Sequence, residues 1–336
     1  MYHPRLKGKH YDMGKHYGDL LYKTGEDLSS VIKLSDKQKS FGQKCLPIYE
    51  KYMSEIMMEV RGLAEGLHQK YEDLACWLFN IYCNEEEEHG CTVFAVKSKD
   101  KVYLARNMDM FPEYKKTSES VLYRVEGENT FLAHSTAMIL LEDGINEHGL
   151  SIALTFLLSK KIKPGINGGF IVRKVLEECK TTDEAIELIK TIPISSSHNL
   201  VIADKNGKMA VVECTSEDIN VRYSDDYVIA TNHFISNNMI KYNNKEDNWY
   251  YTNDRYNTID NYLKNNATID FNKCKELISG KYGFICQFEK KLHFDTIWSA
   301  VYDLNTLYNE ICEGNPNKSK YKFDNRLEWG LKQNNK

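Results

Sequence analysis

No apolar run in this chain is long enough to cross a bilayer. The longest, Ile152-Ala153-Leu154-Thr155-Phe156-Leu157-Leu158, falls far short of the roughly 20 residues a spanning helix needs. The opening residues, Met1-Tyr2-His3-Pro4-Arg5, carry no apolar core of a secretory leader, so the expected location is the cytoplasm, away from the membrane. Charge of one sign is also lacking. Lysine plus arginine number 44 against 48 aspartate plus glutamate, for a net −4, and such a balance gives no reason to expect a nucleic-acid partner. The nine cysteines are odd in number and none are spaced C-x-x-C, which argues against a zinc ribbon or a disulfide framework. Most of them should behave as small buried hydrophobes. There is no H-E-x-x-H, no G-x-x-x-x-G-K-[ST] and no G-x-G-x-x-G, so no metal and no cofactor is expected.

What the chain does have is enough apolar surface for a core, 42% of its 336 residues. That excludes a disordered chain and allows one large domain or two ordinary ones. Residues 1–90 read as mostly helical. Apolar side chains at helical spacing run over 40–64, with Pro47 placed in the first turn, where a missing N–H costs little. A second such stretch covers 71–83. Gly62 and Gly66 read as punctuation between these helices, and Gly8 and Gly14 as tight turns. Four glutamates and a histidine at 85–89 repel one another and form an exposed stretch, either a solvated loop or a linker that can be cut.

From Cys91 the periodicity changes to two. Strands are expected at 92–97 and 102–106 across a turn at Lys99-Asp100-Lys101. Others follow at 120–125, 130–141 and 150–157, with turns at Gly127-Glu128-Asn129 and Asp143-Gly144. Helices come next, over 168–180 and, after a capping box at Thr181-Thr182-Asp183-Glu184, through 192. Strands resume at 199–203, 209–214, 219–223 and 227–231, with a hairpin at Lys205-Asn206-Gly207-Lys208. Helices at 254–264 and 271–279, a strand at 296–304 and a polar, partly ordered tail from Asn315 complete the reading. Helices, strands, helices and strands in that order make an α+β layered fold rather than a doubly wound parallel sheet.

One stretch organises the chemistry: Gly90-Cys91-Thr92, fifteen residues before Arg106 in Arg106-Asn107-Met108-Asp109. A free cysteine is mostly protonated at neutral pH and needs a base and a nearby positive charge to act as nucleophile. Breaking the Gly90–Cys91 bond would supply the base, because a new α-amino group titrates near about 7.7–8.0. Antiparallel pairing across the short turn would return Arg106 to the side of Cys91, with Asp109 nearby. On their own, Arg106 and Asp109 would be an ordinary exposed ion pair worth under about 1 kcal/mol. Asn232 ends an apolar strand and could present an amide to an oxyanion, or simply terminate the strand. His233 beside it could be the base of a Cys–His protease working in an intact chain, although with ten histidines one near a strand end is expected by chance.

These pieces together resemble the N-terminal-nucleophile hydrolases that include the isopenicillin N (acyl-CoA:6-aminopenicillanic acid) acyltransferases and, more distantly, choloylglycine hydrolases and acid ceramidases. Gly90-Cys91-Thr92, Arg106-Asn107-Met108-Asp109, Gly144-Ile145-Asn146-Glu147-His148-Gly149-Leu150, Thr231-Asn232-His233-Phe234 and Thr296-Ile297-Trp298-Ser299 carry the resemblance in order. Arg61-Gly62-Leu63-Ala64-Glu65-Gly66 resembles the family's pro-region. The resemblance implies a four-layer αββα sandwich and self-cleavage before Cys91. Residues 1–90 would stay bound as a helical small subunit beside a catalytic unit of 91–336. It implies a small-molecule acyl-amide substrate, with Cys91 attacking a linear amide, Arg106 tuning the site and Asp109 orienting the amine. Asn232 and a backbone N–H near Thr155-Phe156 would form the oxyanion hole. Choloylglycine hydrolases tend to place an asparagine where this chain has Leu154-Thr155-Phe156-Leu157, which argues against bile-salt specificity. A bile-salt or penicillin V amidase and an uncleaved, silent relative that binds a small ligand stand as alternatives. The sequence leaves homo-oligomerisation open.

Overall fold

A computed structural model describes residues 1–25, 32–83, 90–243, 249–286, 289–291 and 293–334. The chain opens with β1 (Arg5–Gly8), α1 (His10–Tyr22), α2 (Asp36–Tyr52), α3 (Ser54–Gly66) and α4 (Tyr71–Asn80). Strands β2 (Gly90–Ser98), β3 (Lys101–Met110), β4 (Glu119–Val125), β5 (Thr130–Ser135), β6 (Asp143–Asn146) and β7 (Leu150–Leu157) follow. Next come α5 (Gly168–Glu178), α6 (Thr182–Thr191), β8 (Ser197–Asp204), β9 (Met209–Cys214), β10 (Ile219–Ser224) and β11 (Tyr227–Ala230). The chain continues through α7 (Thr252–Asn265), α8 (Phe271–Ile278), β12 (Asp295–Asp303), β13 (Asn309–Glu313), β14 (Lys322–Phe323) and α9 (Arg326–Asn334).

Two sheets stack. One has eight strands in the order β1-β4-β5-β6-β7-β8-β9-β10, the other six in the order β11-β2-β3-β12-β13-β14. Val93, Ala95 and Leu104 of the smaller sheet meet Leu132, Ala153 and Val201 of the larger one and fill the space between them. The outer face of the larger sheet is covered by α1 to α6, the outer face of the smaller by α7 and α8. This is the αββα arrangement. Central strands buried on both faces read as near-continuous apolar runs, and β7 and β8 are buried at every position. All nine cysteines are buried, and none is in a disulfide. No helix among the described residues is long and apolar enough to cross a membrane.

The N-terminal segment departs from its expected form in several places. Residues 5–8 are a strand, paired parallel with β4. The helix expected over 40–64 is two helices that break at Met53, with φ −134° and ψ 32°. The first begins earlier, where Ser35 and Gln38 cap each other's backbone, and Pro47 lies inside it rather than in its first turn. Gly62 and Gly66 are not punctuation. They lie in α3 facing Gly14 and Gly18 of α1, and the two backbones nearly touch: a Cβ on Gly62 would sit 2.1 Å from the Tyr11 carbonyl oxygen, one on Gly14 2.0 Å from that of Glu59. Two glycines four residues apart on each helix make one flat stripe. Of Gly8, Gly14, Gly62 and Gly66, Gly8 alone has a positive φ, +124°, and uses glycine's freedom to turn.

Other boundaries moved for similar reasons. The strand expected over 130–141 stops at Ser135. Asp143-Gly144, read as a turn, belongs to β6. The tail from Asn315 is ordered through α9, held by Arg326, which donates to Ser120 and Asp324. The acidic stretch at 85–89 lies outside the described residues.

The segment 1–83 is bonded into the core by buried charges. Arg173 of α5 donates to Glu59 of α3 at 2.7 Å and to Glu177 at 2.7 Å. His10 reaches the same Glu177, and Arg173 lies 4.0 Å over the Tyr123 ring.

Candidate active site

The β2–β3 hairpin sets the site. Its register places Cys91 opposite Met108, Gly90 opposite Asp109 and Val93 opposite Arg106. Arg106 is therefore two residues along from the position expected, but on the same face as Cys91, because alternate residues of a strand share a face. Its side chain reaches back, and Nη2 lies 3.4 Å from the Cys91 Sγ and 3.1 Å from the Met108 Sδ. Both Cys91 and Arg106 are fully buried.

A buried guanidinium requires a counter-charge. It comes from Asp143, whose Oδ2 accepts Arg106 Nη1 at 2.8 Å and the Trp298 indole N–H at 3.3 Å. Asp143 Oδ1 takes His134 Nδ1 and the Tyr302 hydroxyl. Burial alone would raise the Asp143 carboxyl, but the charges of His134 and Arg106 outweigh it and hold the group below the usual carboxylate range. Burial pulls the Arg106 guanidinium down, while Asp143, Cys91 and Glu142 raise it further, so its charge is permanent.

On the opposite face of the hairpin, Asp109 accepts the Thr296 hydroxyl at Oδ1 and lies 3.7 Å from Arg255 Nη1 through Oδ2. That second oxygen accepts no hydrogen bond among the described residues. Burial raises the carboxyl to about 6, against the pull of Arg255, Thr296 and Arg106. A carboxyl raised in this way costs stability above about pH 6 and nothing below about pH 4, where it is protonated folded or unfolded. In a Cys91→Ala background, Asp109→Asn is thus expected to raise the unfolding midpoint at pH 7.5, by a free energy on the order of 1–3 kcal/mol. The gain should fade as pH falls from 6 to 4. Thermal unfolding at pH 7.5 and pH 4 checks this, and a lower midpoint at pH 7.5 would contradict it.

Asn232, just past β11, approaches Cys91 from the side. Its Oδ1 accepts the Cys91 N–H at 2.9 Å and Arg255 Nη2 at 2.7 Å, and its Nδ2 donates to the Phe156 carbonyl at 2.8 Å. The amide donor expected for an oxyanion is thus turned to Phe156. Thr155 donates to the Thr231 carbonyl and accepts from Asn199. Thr155 and Phe156 therefore connect to the Cys91 backbone through Thr231 and Asn232. His233 bonds to Thr231 and Thr252, and burial with the Arg255 charge lowers it to about 4, so it is neutral and turned to hydroxyls.

The sequence missed two residues. Arg255 donates to the Cys91 carbonyl, to the Thr92 hydroxyl at 2.9 Å and to Asn232. It sits on α7 in one stripe with Ile259 and Leu263, all buried. An arginine at spacing i, i+4, i+8 with two apolar residues was the available signal, hidden by the polar composition of the helix. Asp143 was masked by its reading as a turn.

The Cys91 thiol itself is pushed up to about 11 by burial, with Arg106 pulling the other way. A protonated thiol beside a fixed cation still needs a base before it can act as a nucleophile. Among the described residues, no three His, Cys, Asp or Glu side chains are placed to hold a metal ion.

The sequence profile of the acyl-coenzyme A:6-aminopenicillanic acid acyl-transferase family matches residues 96–318. The chain belongs to this family. The match spans Arg106, Asp109 and Asn232 and begins after Cys91. Among solved structures, two variant forms of the conjugated bile acid hydrolase from Clostridium perfringens are similar, each 15% identical. They cover 70% of this chain and 93% of theirs, with TM-scores of 0.52 and 0.51. At that identity the likeness speaks for the fold, which is that of the N-terminal-nucleophile hydrolases.

Proposed function

We propose that this family member is a self-processing cysteine hydrolase or acyltransferase acting on linear amide C–N bonds, and that the chain described is its precursor. The observation that carries the reading is the grip on one residue. Arg106 lies 3.4 Å from the Cys91 sulfur, Asn232 holds its nitrogen at 2.9 Å and Arg255 holds its carbonyl.

In this reading the Gly90–Cys91 bond breaks and residues 1–90 stay bound as the small subunit. The freed α-amine takes the thiol proton, and Asp109, paired opposite Gly90 and accepting no hydrogen bond at Oδ2 among the described residues, orients that amine. Sulfur attacks the substrate carbonyl, the amine returns the proton to the leaving nitrogen, and a thioester remains on Cys91. Water or an acceptor amine then resolves it. Asn232 serves the amine through Oδ1, and serves an oxyanion through Nδ2 once that group leaves the Phe156 carbonyl. The buried thiol, pushed up to about 11, favours a second reading, an uncleaved relative that binds a small ligand without chemistry. Bile-salt and penicillin V amidases share the first mechanism and differ only in substrate, so conjugated bile salts, penicillin V and N-acyl amino acids would separate them. Acid quenching during turnover tests the main reading: the Cys91 peptide should gain the mass of the acyl group. An unmodified peptide with product accumulating would place the chemistry elsewhere.

Gly90 has its own prediction. A Cβ there would meet the Tyr250 ring at 2.8 Å, Asp109 Cβ at 3.0 Å and the Phe294 ring at 3.1 Å. Gly90→Ala should displace the scissile bond and slow cleavage by about 10–100-fold, since a shift near 1 Å costs that much. A mass time course on fresh protein reads it, and an unchanged rate would contradict it.

A further inference from the structure

The Gly90–Cys91 bond is itself an amide, with Gly90 its acyl group and Cys91 its amine. The structure therefore holds one acyl group next to the Cys91 nitrogen, and the walls around it are visible. A Cβ built on Gly90 meets the Tyr250 ring at 2.8 Å, the Asp109 Cβ at 3.0 Å and the Phe294 ring at 3.1 Å. The two rings brace each other with centroids 4.9 Å apart, and both are buried. Tyr250 and Tyr251 hold the left-handed backbone, at φ 44° and 55°, a conformation that residues with side chains keep only where their surroundings impose it. Arg255 ties that turn to the nucleophile. Its Nε donates to the Tyr250 carbonyl at 2.9 Å, and its Nη1 donates to the Cys91 carbonyl. Tyr250, Asp109 and Phe294 all follow position 91 in sequence, so a cut before Cys91 removes none of them. It makes residue 90 a chain end, no longer tied to the site by a covalent bond.

We propose that the slot filled by Gly90 becomes the subsite for the α-carbon of the substrate acyl group, and that it restricts the enzyme to acyl groups with an α-methylene. The proposal rests on the reading of Cys91 as nucleophile. Self-cleavage and turnover then share one step. A sulfur–carbonyl bond forms, the carbon–nitrogen bond breaks, the thiol proton goes to the departing nitrogen, and water resolves the thioester to acid and thiol. One sulfur attacking a carbonyl beside one nitrogen brings both acyl groups to the same place. An α-carbon with a single chain fits there as Gly90 does. A second substituent in the position of an L side chain meets three carbons well inside the optimum of about 3.5–4.0 Å for such pairs. The slot thereby bars every L-aminoacyl group except glycyl, which directs the enzyme to simple amides rather than peptides.

The experiment offers the purified protein p-nitrophenyl esters of butanoic acid, N-acetylglycine and N-acetyl-L-alanine, whose activated leaving group needs no amine subsite. The acyl adduct on the Cys91 peptide is read by mass, and each rate is divided by that of N-acetylcysteine with the same ester. Butanoyl and N-acetylglycyl should acylate Cys91 at least about tenfold faster than N-acetyl-L-alanyl, the selectivity one carbon commands in a fitted site. Tyr250→Ala and, as a smaller change, Phe294→Leu should each move that ratio toward one. Tyr250→Ala added to Gly90→Ala should restore the cleavage that Gly90→Ala slows. A wild-type ratio near one, or a ratio that neither variant moves, overturns the subsite. Restored cleavage with unmoved acyl selectivity confines the slot to processing and overturns the subsite alone, with the nucleophile left standing. No adduct on Cys91 from any ester overturns the nucleophile reading, and the subsite falls with it.

Discussion

Cys91→Ala is expected to reduce amide turnover by a factor on the order of 10⁴ or more, because loss of a nucleophile removes the covalent route entirely. The fold should survive. The variant loses one sulfur from a cluster of Met108, Met110, Ile297 and Trp298, while Arg106 keeps its bond to Asp143 at 2.8 Å. The peptide nitrogen and carbonyl of residue 91 are held through backbone atoms by Asn232 and Arg255, and alanine keeps both. Turnover and the unfolding midpoint measured on one preparation check the pair of statements. Retained turnover at an unchanged midpoint would mean that the nucleophile is another residue.

Asp143→Ala is expected to be the most damaging single change to stability around the site. It strands Arg106, a fully buried guanidinium, with Glu142 as the remaining carboxylate at 3.9 Å. Removing one partner of a buried pair costs about 3–5 kcal/mol. His134, Tyr302 and Trp298 lose their shared acceptor as well. Asp143→Asn keeps the shape but not the charge and should cost less. The two variants also differ from wild type in acid. The wild-type carboxyl is held below its ordinary range by its cationic neighbours, so its contribution is present above about pH 4 and is lost as pH falls below that. Asp143→Asn should therefore weaken the protein at pH 7 while flattening its stability loss between pH 4 and pH 2. A variant as stable as wild type at pH 7 would show that the pair offsets only its own desolvation.

The sandwich was readable because its central strands are apolar runs bounded by turn residues, and because Thr181 and Gly207 cap and turn where such residues usually do. Local pattern failed where packing rather than periodicity decided the outcome. Gly62 and Gly66 look like breaks and serve as a contact surface, because their meaning depends on Gly14 and Gly18, more than forty residues away. Asp143-Gly144 has turn chemistry, yet Asp143 is held in a strand by the charge of Arg106. Within the site, hairpin spacing was enough to bring Arg106 and Cys91 together. Arg255 could not be found in that way, since it arrives from a different layer of the fold, more than 160 residues on. The orientation of Asn232, oxygen rather than nitrogen toward Cys91, follows from two donors that meet there, the Cys91 N–H and Arg255 Nη2.

The central claim is that Cys91 becomes a chain start. Intact mass under denaturing conditions on freshly purified protein tests it most directly. The account predicts two fragments that meet at Gly90 and Cys91 and together sum to 39.0 kDa plus one water. A single undivided species at 39.0 kDa that nonetheless turns over an N-acyl amide would contradict it, because Cys91 would then have no amine with which to work.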